Sequence, residues 1–276
     1  MPVGIALPNL ETLFMYQPTH DFQLGTGSLP SLTELSFGQT DQIPMEKILS
    51  VIGHQLRKLS VKVSDTLHLD TVFRMCPNLQ VLYVPECPVD YIGLKDELLN
   101  CNLRSLTELC FVEGYDDHDR TLVKPDHLLQ ILQAAPNLQI FQMHTPIFSE
   151  QDGKDFRLAL EQHLILQKLQ QFTFSYDLPE TDADKLSANI GRSVINSIIS
   201  LCPRLSTVNV KNNELKFNWL EYTPNVCFQI LPNPCNSFHV CDDNKKSLPI
   251  FKYSMLFLVS FSSIQIIKFW TILYSL

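Results

Sequence analysis

Four neighbouring residues near the middle of the chain carry oxygen and nitrogen atoms that could bind a metal ion. They are Asp116, Asp117, His118 and Asp119. A calcium-binding loop spaces its ligands as Asp-x-Asp-x-Asp-Gly and ends with a glutamate, and this run has neither feature. Because runs of charge are usually solvated, we interpret residues 113–120 as an acidic loop that holds no metal.

A second group, near the C-terminus, combines thiols with a histidine, which are the side chains that hold zinc. Its members are Cys227, Cys235, His239 and Cys241. Most zinc motifs contain two cysteines only two residues apart, and no such pair occurs in this group. The sequence favours free thiols in a loop, with a zinc site as the alternative.

The motifs of common enzymes are missing from the sequence. It contains no Gly-x-Ser-x-Gly, no P-loop and no His-Glu-x-x-His. Cys110 has no fixed histidine or asparagine partner in the pattern, so it is not an evident nucleophile. His54, His68 and His163 fall near the ends of predicted helices. We expect a protein that is not an enzyme and that uses no cofactor.

One repeated phrase organises most of the chain. It consists of a leucine, two variable residues, an apolar residue, one variable residue and a second apolar residue. Its copies begin at Leu10, Leu32, Leu56, Leu79, Leu106, Leu138, Leu169 and Leu205, which are 22 to 36 residues apart. Five copies have a proline two residues earlier, at Pro8, Pro30, Pro77, Pro136 and Pro203. Such alternation predicts a short strand that buries every second side chain.

Between the phrases, the apolar residues follow the period of a helix. This pattern occurs in residues 44–52, 67–73, 94–99, 128–132, 156–164 and 190–199. Pro125 and Asp126 are typical of the start of a helix. A single strand cannot bury its apolar face alone, whereas stacked neighbours form a continuous core. The sequence therefore predicts an α/β fold with one strand and one helix in each repeat.

The phrase resembles the leucine-rich repeat, L-x-x-L-x-L-x-x-N/C-x-L, over about residues 7 to 214. At the ninth position, Cys87 and Asn213 match the motif, Thr40, Ser64 and Asp177 could replace them, and Pro18, Gly114 and Pro146 could not. The resemblance implies a solenoid shaped like a horseshoe, with a parallel sheet on its concave side and helices on its convex side. Acidic insertions follow two of the strands, at residues 113–120 and 177–184, and we expect both at one edge.

The irregular repeat lengths, Cys87 and the Cys-Pro pairs at 76–77 and 202–203 most resemble the repeat region of F-box/leucine-rich-repeat proteins. That resemblance implies that the repeats hold a substrate for a cullin-type ubiquitin ligase, while a separate F-box binds the ligase adaptor. The residues before Leu10 leave no room for an F-box. Residues 43–49 are similar to the start of an F-box, but a further repeat follows them. We interpret them as a helix on the convex side.

Composition excludes several other classes of protein. The chain has 276 residues, with 21 Lys and Arg against 29 Asp and Glu, and a formal charge of −8. It therefore lacks the basic surface of a nucleic-acid-binding protein. Eight cysteines are too sparse for a disulfide scaffold, and residues 1–16 do not resemble a secretory signal. We expect a monomer with free thiols, located in the cytoplasm or the nucleus.

The C-terminal third departs from the repeat, so the chain divides into residues 1–214, 215–250 and 251–276. Residues 215–250 are irregular, although residues 226–231 could form a last strand. From Tyr253 onward the tail contains one charged residue, Lys268, and is long enough to span a membrane. Lys245, Lys246 and Lys252 suit a cytoplasmic flank. The tail could be a membrane anchor, a buried cap on the repeats, or a non-native end such as translated non-coding sequence.

The candidate binding surface is the concave face of the sheet. The third, fifth and seventh residues of each phrase point away from the core. In the central strands, this pattern predicts an apolar patch with charged flanks, which is typical of a protein-binding site. The candidate site residues are Lys58, Lys62, Val81, Tyr83, Glu108, Val112, Ile140, Gln142 and His144. Scattered apolar surface residues are the alternative interpretation of this pattern.

These observations predict a protein-interaction module that binds its partner on the concave face. The family resemblance implies that the partner is a substrate of a cullin-type ubiquitin ligase. The alternative is a repeat protein displayed on the cytosolic side of a membrane by its apolar tail.

Overall fold

The computed structural model describes residues 7–18, 29–63, 67–85, 92–93, 103–112, 123–144, 148–175, 182–211, 227–231, 256–261 and 264–269. In chain order, its strands and helices are β1 (Thr12–Tyr16), β2 (Glu34–Thr40), α1 (Gln42–Ile52), β3 (Lys58–Val63), β4 (Leu67–His68), α2 (Leu69–Met75), β5 (Val81–Pro85), β6 (Ile92–Gly93), β7 (Glu108–Val112), α3 (Pro125–Ala134), β8 (Ile140–His144), α4 (Glu150–Glu161), β9 (Gln171–Ser175), α5 (Asp182–Leu201), β10 (Thr207–Lys211), β11 (Cys227–Leu231), β12 (Leu256–Phe261) and β13 (Ile264–Phe269). The predicted α/β class is confirmed.

The same backbone turn precedes every one of the eight predicted strands. The N–H of each first leucine donates to the carbonyl three residues earlier, at 3.0 to 3.3 Å. The five prolines occupy the second position of this turn, where their fixed φ angle is favourable. The first position is filled by a buried residue in seven of the eight turns, including Cys76 and Cys202. The Cys-Pro pairs are therefore one form of a general turn, and their thiols belong to the core.

All eight phrase strands belong to one sheet. Its order is β11-β10-β9-β8-β7-β5-β3-β2-β1-β12-β13, and all neighbours are parallel except β12 and β13. β4 and β6 pair separately. The same contact recurs at the start of seven phrase strands, which are β2, β3, β5, β7, β8, β9 and β10. In each of them, two successive N–H groups donate to one backbone carbonyl of the previous repeat. For example, Thr33 and Glu34 both donate to Glu11. This recurring contact keeps the phrases in register.

The core lies between the helices and one face of the sheet. In the first complete repeat, Leu35 and Phe37 of β2 pack in one hydrophobic cluster with Met45 and Ile48 of α1. Residues 43–49 thus belong to a helix that covers the sheet. Farther along, the rings of Phe141 and Phe172 stack at 5.8 Å between centroids. The sequence pattern predicts that every second strand residue is buried, and this burial stabilises the fold because it removes apolar surface from water.

The described helices agree with the predicted periodicity apart from three differences: Leu67 belongs to β4, Leu164 lies beyond the end of α4 and is exposed, and α5 starts earlier than expected. This helix begins at Asp182, inside the predicted acidic insertion at residues 177–184. The part of this insertion from residue 182 onward is therefore helix and not loop. The predicted helix at 94–99 and the insertion at 113–120 lie outside the described residues.

The C-terminal region adds strands to both ends of the repeat sheet. β11 extends it next to β10, where the sequence predicted a last strand. β12 pairs with β1, with Phe257 opposite Phe14. The three interpretations of the tail, as an anchor, a buried cap or a non-native end, stay predictions. Within the described part of the chain, none of the helices has the length and apolar character needed to cross a membrane.

Candidate protein-interaction face

The register of the sheet aligns the residues on the face opposite the described helices into rows that cross the strands. The first row contains Thr12, Glu34, Lys58, Val81, Glu108, Ile140, Gln171 and Thr207. The second row contains Phe14, Ser36, Ser60, Tyr83, Cys110, Gln142, Thr173 and Asn209. Neighbouring strands lie about 4.7–4.9 Å apart. Each row is therefore a ladder with one side chain per strand.

Six of the nine predicted site residues are brought together in the middle of these rows. Lys58, Val81, Glu108 and Ile140 are consecutive in the first row, and Tyr83 and Gln142 belong to the second. We call these six residues the central patch. The other three predicted residues lie farther along the same strands: Lys62 is on β3, Val112 is opposite Pro85, and His144 is opposite Ser175.

Solvent exposure varies along this face. The side chain of Lys58 is 52% exposed, and Tyr83 is 38% exposed. Val81, Glu108, Ile140 and Gln142 are half-buried. In contrast, Thr173 and Asn209 are buried at the other end of the second row. In the second row, the accessible part is therefore the central patch and the strands that precede it, whereas the first row stays half-buried as far as Gln171 and Thr207.

The two charged residues of the central patch differ: Lys58 is in an ion pair, and Glu108 has no described partner. The Nζ of Lys58 lies 3.8 Å from the Oε2 of Glu34, its neighbour in the first row. The carboxylate of Glu108 has no hydrogen bond or ion pair with any described residue. Because the Lys58–Glu34 pair is largely exposed, it contributes little to stability. Both of its members can bind a partner at low cost.

An exposed aromatic surface adjoins the patch, and the sequence-based site omitted it. Gly38 lies beneath Phe14 and Tyr16, because a Cβ atom added there would approach their rings to 2.7 and 2.8 Å. Tyr16 is 43% exposed, and its hydroxyl donates to Gln39 Oε1 at 3.5 Å. The signal was present in the sequence, since a glycine at an outward strand position leaves room for large neighbours.

Two of the three described thiols, those of Cys76 and Cys202, are buried in the core. Burial raises the pKa of Cys76 and of Cys202 to about 12, which keeps both thiols protonated at neutral pH. Cys110 is half-buried in the second row between Tyr83 and Gln142. No cluster of three or more metal-ligating side chains occurs among the residues that the structure describes. The side chains of the predicted Cys/His group and residues 116–119 lie outside that description.

A polar cleft of about 480 Å³ lies between α4 and α5. Several of its side chains are already engaged. Arg157 donates to Glu161 at 2.7 Å, and Ser197 and Ser200 donate to carbonyls of their own helix. Polar groups that are satisfied in this way have little binding energy to offer a ligand. The central patch is the candidate site because the predicted site residues meet there.

The comparisons with known proteins leave the family open. No protein-family model, curated protein or solved structure gives a significant match to the chain.

Proposed function

We propose that the chain is a leucine-rich-repeat solenoid that binds a protein partner through the concave face of its sheet. The repeating turn, the shared register and the placement of the helices on one face support the solenoid. Stacking of strand–helix units is the basis of such folds, and their curved faces commonly bind other proteins.

The observation that carries this proposal is the exposure of one face of a parallel sheet. Parallel sheets are usually covered on both faces. Here the first row contains exposed Lys58 and half-buried Val81 and Ile140 on the side opposite the helices. An accessible apolar area with charged neighbours resembles the centre and rim of a protein interface. Tyr83 is the natural anchor, because tyrosine is enriched among residues that dominate binding energy.

The resemblance to F-box/leucine-rich-repeat proteins suggests the class of partner. In this proposal, the bound protein is a substrate that is presented to a cullin-type ubiquitin ligase. The repeats would supply recognition, and the adaptor contact would come from another segment or another protein. Because recognition requires no reaction at the repeats, this role needs neither a metal nor a catalytic residue.

Proximity labelling in cells tests the proposal. The full chain is compared with a variant that carries Lys58→Glu and Tyr83→Ala, and with a control that carries Leu158→Ala. Leu158 is 51% exposed on α4, on the helix side. We expect the first variant to lose specific labelled proteins and the control to retain them. Equal labelling by all three chains would contradict binding at the central patch.

The identity of the labelled proteins distinguishes the roles. Enrichment of cullin-ligase subunits supports the ligase role. Membrane proteins that are enriched by the full chain, and lost after truncation at Leu248, would instead support the membrane-tethered alternative. That alternative also predicts that the full chain resists extraction from membranes by carbonate.

A further inference from the structure

Glu108 places a carboxylate between two apolar side chains. Its neighbours in the first row are Val81 on β5 and Ile140 on β8, and all three side chains are half-buried. Within the described part of the chain, no cation or hydrogen-bond donor engages this carboxylate, whereas Glu34 in the same row pairs with Lys58. Loss of the remaining water on binding would be costly unless the partner supplied a cation. Glu108 is therefore suited to a Lys or Arg of the partner.

The spacing of the row favours one shape of partner. Side chains in a row are about 4.7–4.9 Å apart, which is the distance between strands. A helix that lies across the strands presents one side chain per turn, about every 5.4 Å. An extended segment presents residues of one face only about every 6.4–6.8 Å. Over the three strands β5, β7 and β8, a helix stays in step with the row and an extended segment does not.

Taking the proposed binding face as the starting point, we infer that the partner segment is a basic amphipathic helix that crosses β5, β7 and β8. A Lys or Arg of this helix pairs with Glu108. Apolar residues one turn before and one turn after it pack on Val81 and Ile140. The ring of Tyr83, in the adjacent row, offers a further contact for the cation. The net charge of −8 favours the approach of a basic segment.

A displayed library of helix-forming peptides, randomised on one face, tests this inference with the full chain as bait. The wild-type chain should enrich peptides with Lys or Arg one turn away from apolar residues. A chain with Glu108→Lys, selected in parallel, should enrich Asp or Glu at that position. Enrichment of the same basic peptides by both chains, or of none by the wild type, would overturn the inference.

An enriched peptide then serves as a defined probe in a binding titration. Glu108→Gln should weaken its binding about tenfold, the effect expected for loss of a charge partner. Glu161→Gln, a carboxylate on the helix side, should leave binding unchanged. Because Glu108→Gln is a nearly isosteric substitution, it should leave the fold intact, and circular dichroism verifies this.

The titration also separates this inference from the proposed function. If Tyr83→Ala weakens binding and Glu108→Gln does not, the face binds proteins but does not select a basic helix. If neither substitution changes binding, the central patch is not the binding site and both conclusions are wrong.

Discussion

The Nδ2 of Asn137 donates to the backbone carbonyl of Arg104 at 2.6 Å, joining the turn of one repeat to the turn of the repeat before it. Equivalent contacts join Ser31 to Pro8, Asn78 to His54 and Ser105 to Pro77, at 2.5 to 3.0 Å. In each case, the donor directly precedes the first leucine of a phrase. These side chains form a polar ladder along the turns, in addition to the backbone bonds of the sheet.

Removal of one rung of this ladder should weaken the fold. We expect Asn137→Ala to lower the free energy of unfolding by about 1–2 kcal/mol, because it removes this hydrogen bond and the one that Asn137 Oδ1 accepts from Lys168 at 2.6 Å. Asn189→Ala on α5 is the control. Asn189 is exposed and accepts only a long hydrogen bond of 3.4 Å from Arg192. Its effect should stay within about 0.5 kcal/mol. Urea denaturation measures both values, and equal effects would contradict a role of the ladder.

The contact between α4 and α5 depends on the absence of a side chain at Gly153. A Cβ atom there would lie 2.5 Å from Cγ2 of Ile190. Gly153→Ala should lower the free energy of unfolding by about 1–3 kcal/mol through overpacking. This cost exceeds the gain in helix propensity, which is at most about 1 kcal/mol.

The matched variant for this contact is Ile190→Ala combined with Gly153→Ala. Because Ile190→Ala removes the clashing methyl, Gly153→Ala should be harmless or stabilising in that background. A double-mutant cycle measures the coupling. Additive effects would indicate that the two helices do not touch at this point.

The buried thiols predict a loss of stability at alkaline pH. Burial raises the pKa of Cys76 and Cys202 from 9.0 to about 12. The folded chain keeps these protons up to about pH 12, whereas the unfolded chain releases them above about pH 9. The unfolded state then binds fewer protons, so the free energy of unfolding decreases as the pH rises from about 9 towards 12. Below about pH 9, the two thiols should add no pH dependence.

A variant with Cys76→Ala and Cys202→Ala isolates this effect from other titrating groups. Chemical denaturation of both chains between about pH 8 and pH 10.5 should show a smaller alkaline decrease in the variant. Native Cys76 and Cys202 should also resist thiol reagents until the chain unfolds. Parallel pH curves for the two chains would contradict burial of the thiols.

Much of the fold could be predicted because its repeat is periodic. The alternation around Leu35 and Phe37 specified both the strand and its buried face. The register followed from identical spacing within each phrase, so Lys58, Val81, Glu108 and Ile140 could be aligned without coordinates. The pattern within one phrase also predicts which strands pair, because each phrase strand pairs with the strand of the next repeat.

Other features depend on contacts that a single repeat does not contain. The ladder residue Asn137 bonds to a carbonyl 33 residues earlier, although the recurring Pro-Asn-Leu could have indicated it. The burial of Thr173 and Asn209 could not be predicted, since their phrase positions match those of the exposed residues. The packing of Phe14 and Tyr16 over Gly38 depends on side-chain direction as well as spacing.

Site-specific photo-crosslinking in cells tests the central claim most directly. Photo-reactive benzoylphenylalanine replaces Tyr83 in one chain and Leu158, on the helix side, in another. Binding at the concave face predicts light-dependent protein adducts at position 83, loss of those adducts with Lys58→Glu, and none at position 158. Adducts at position 158 alone, or at neither position, would contradict the account.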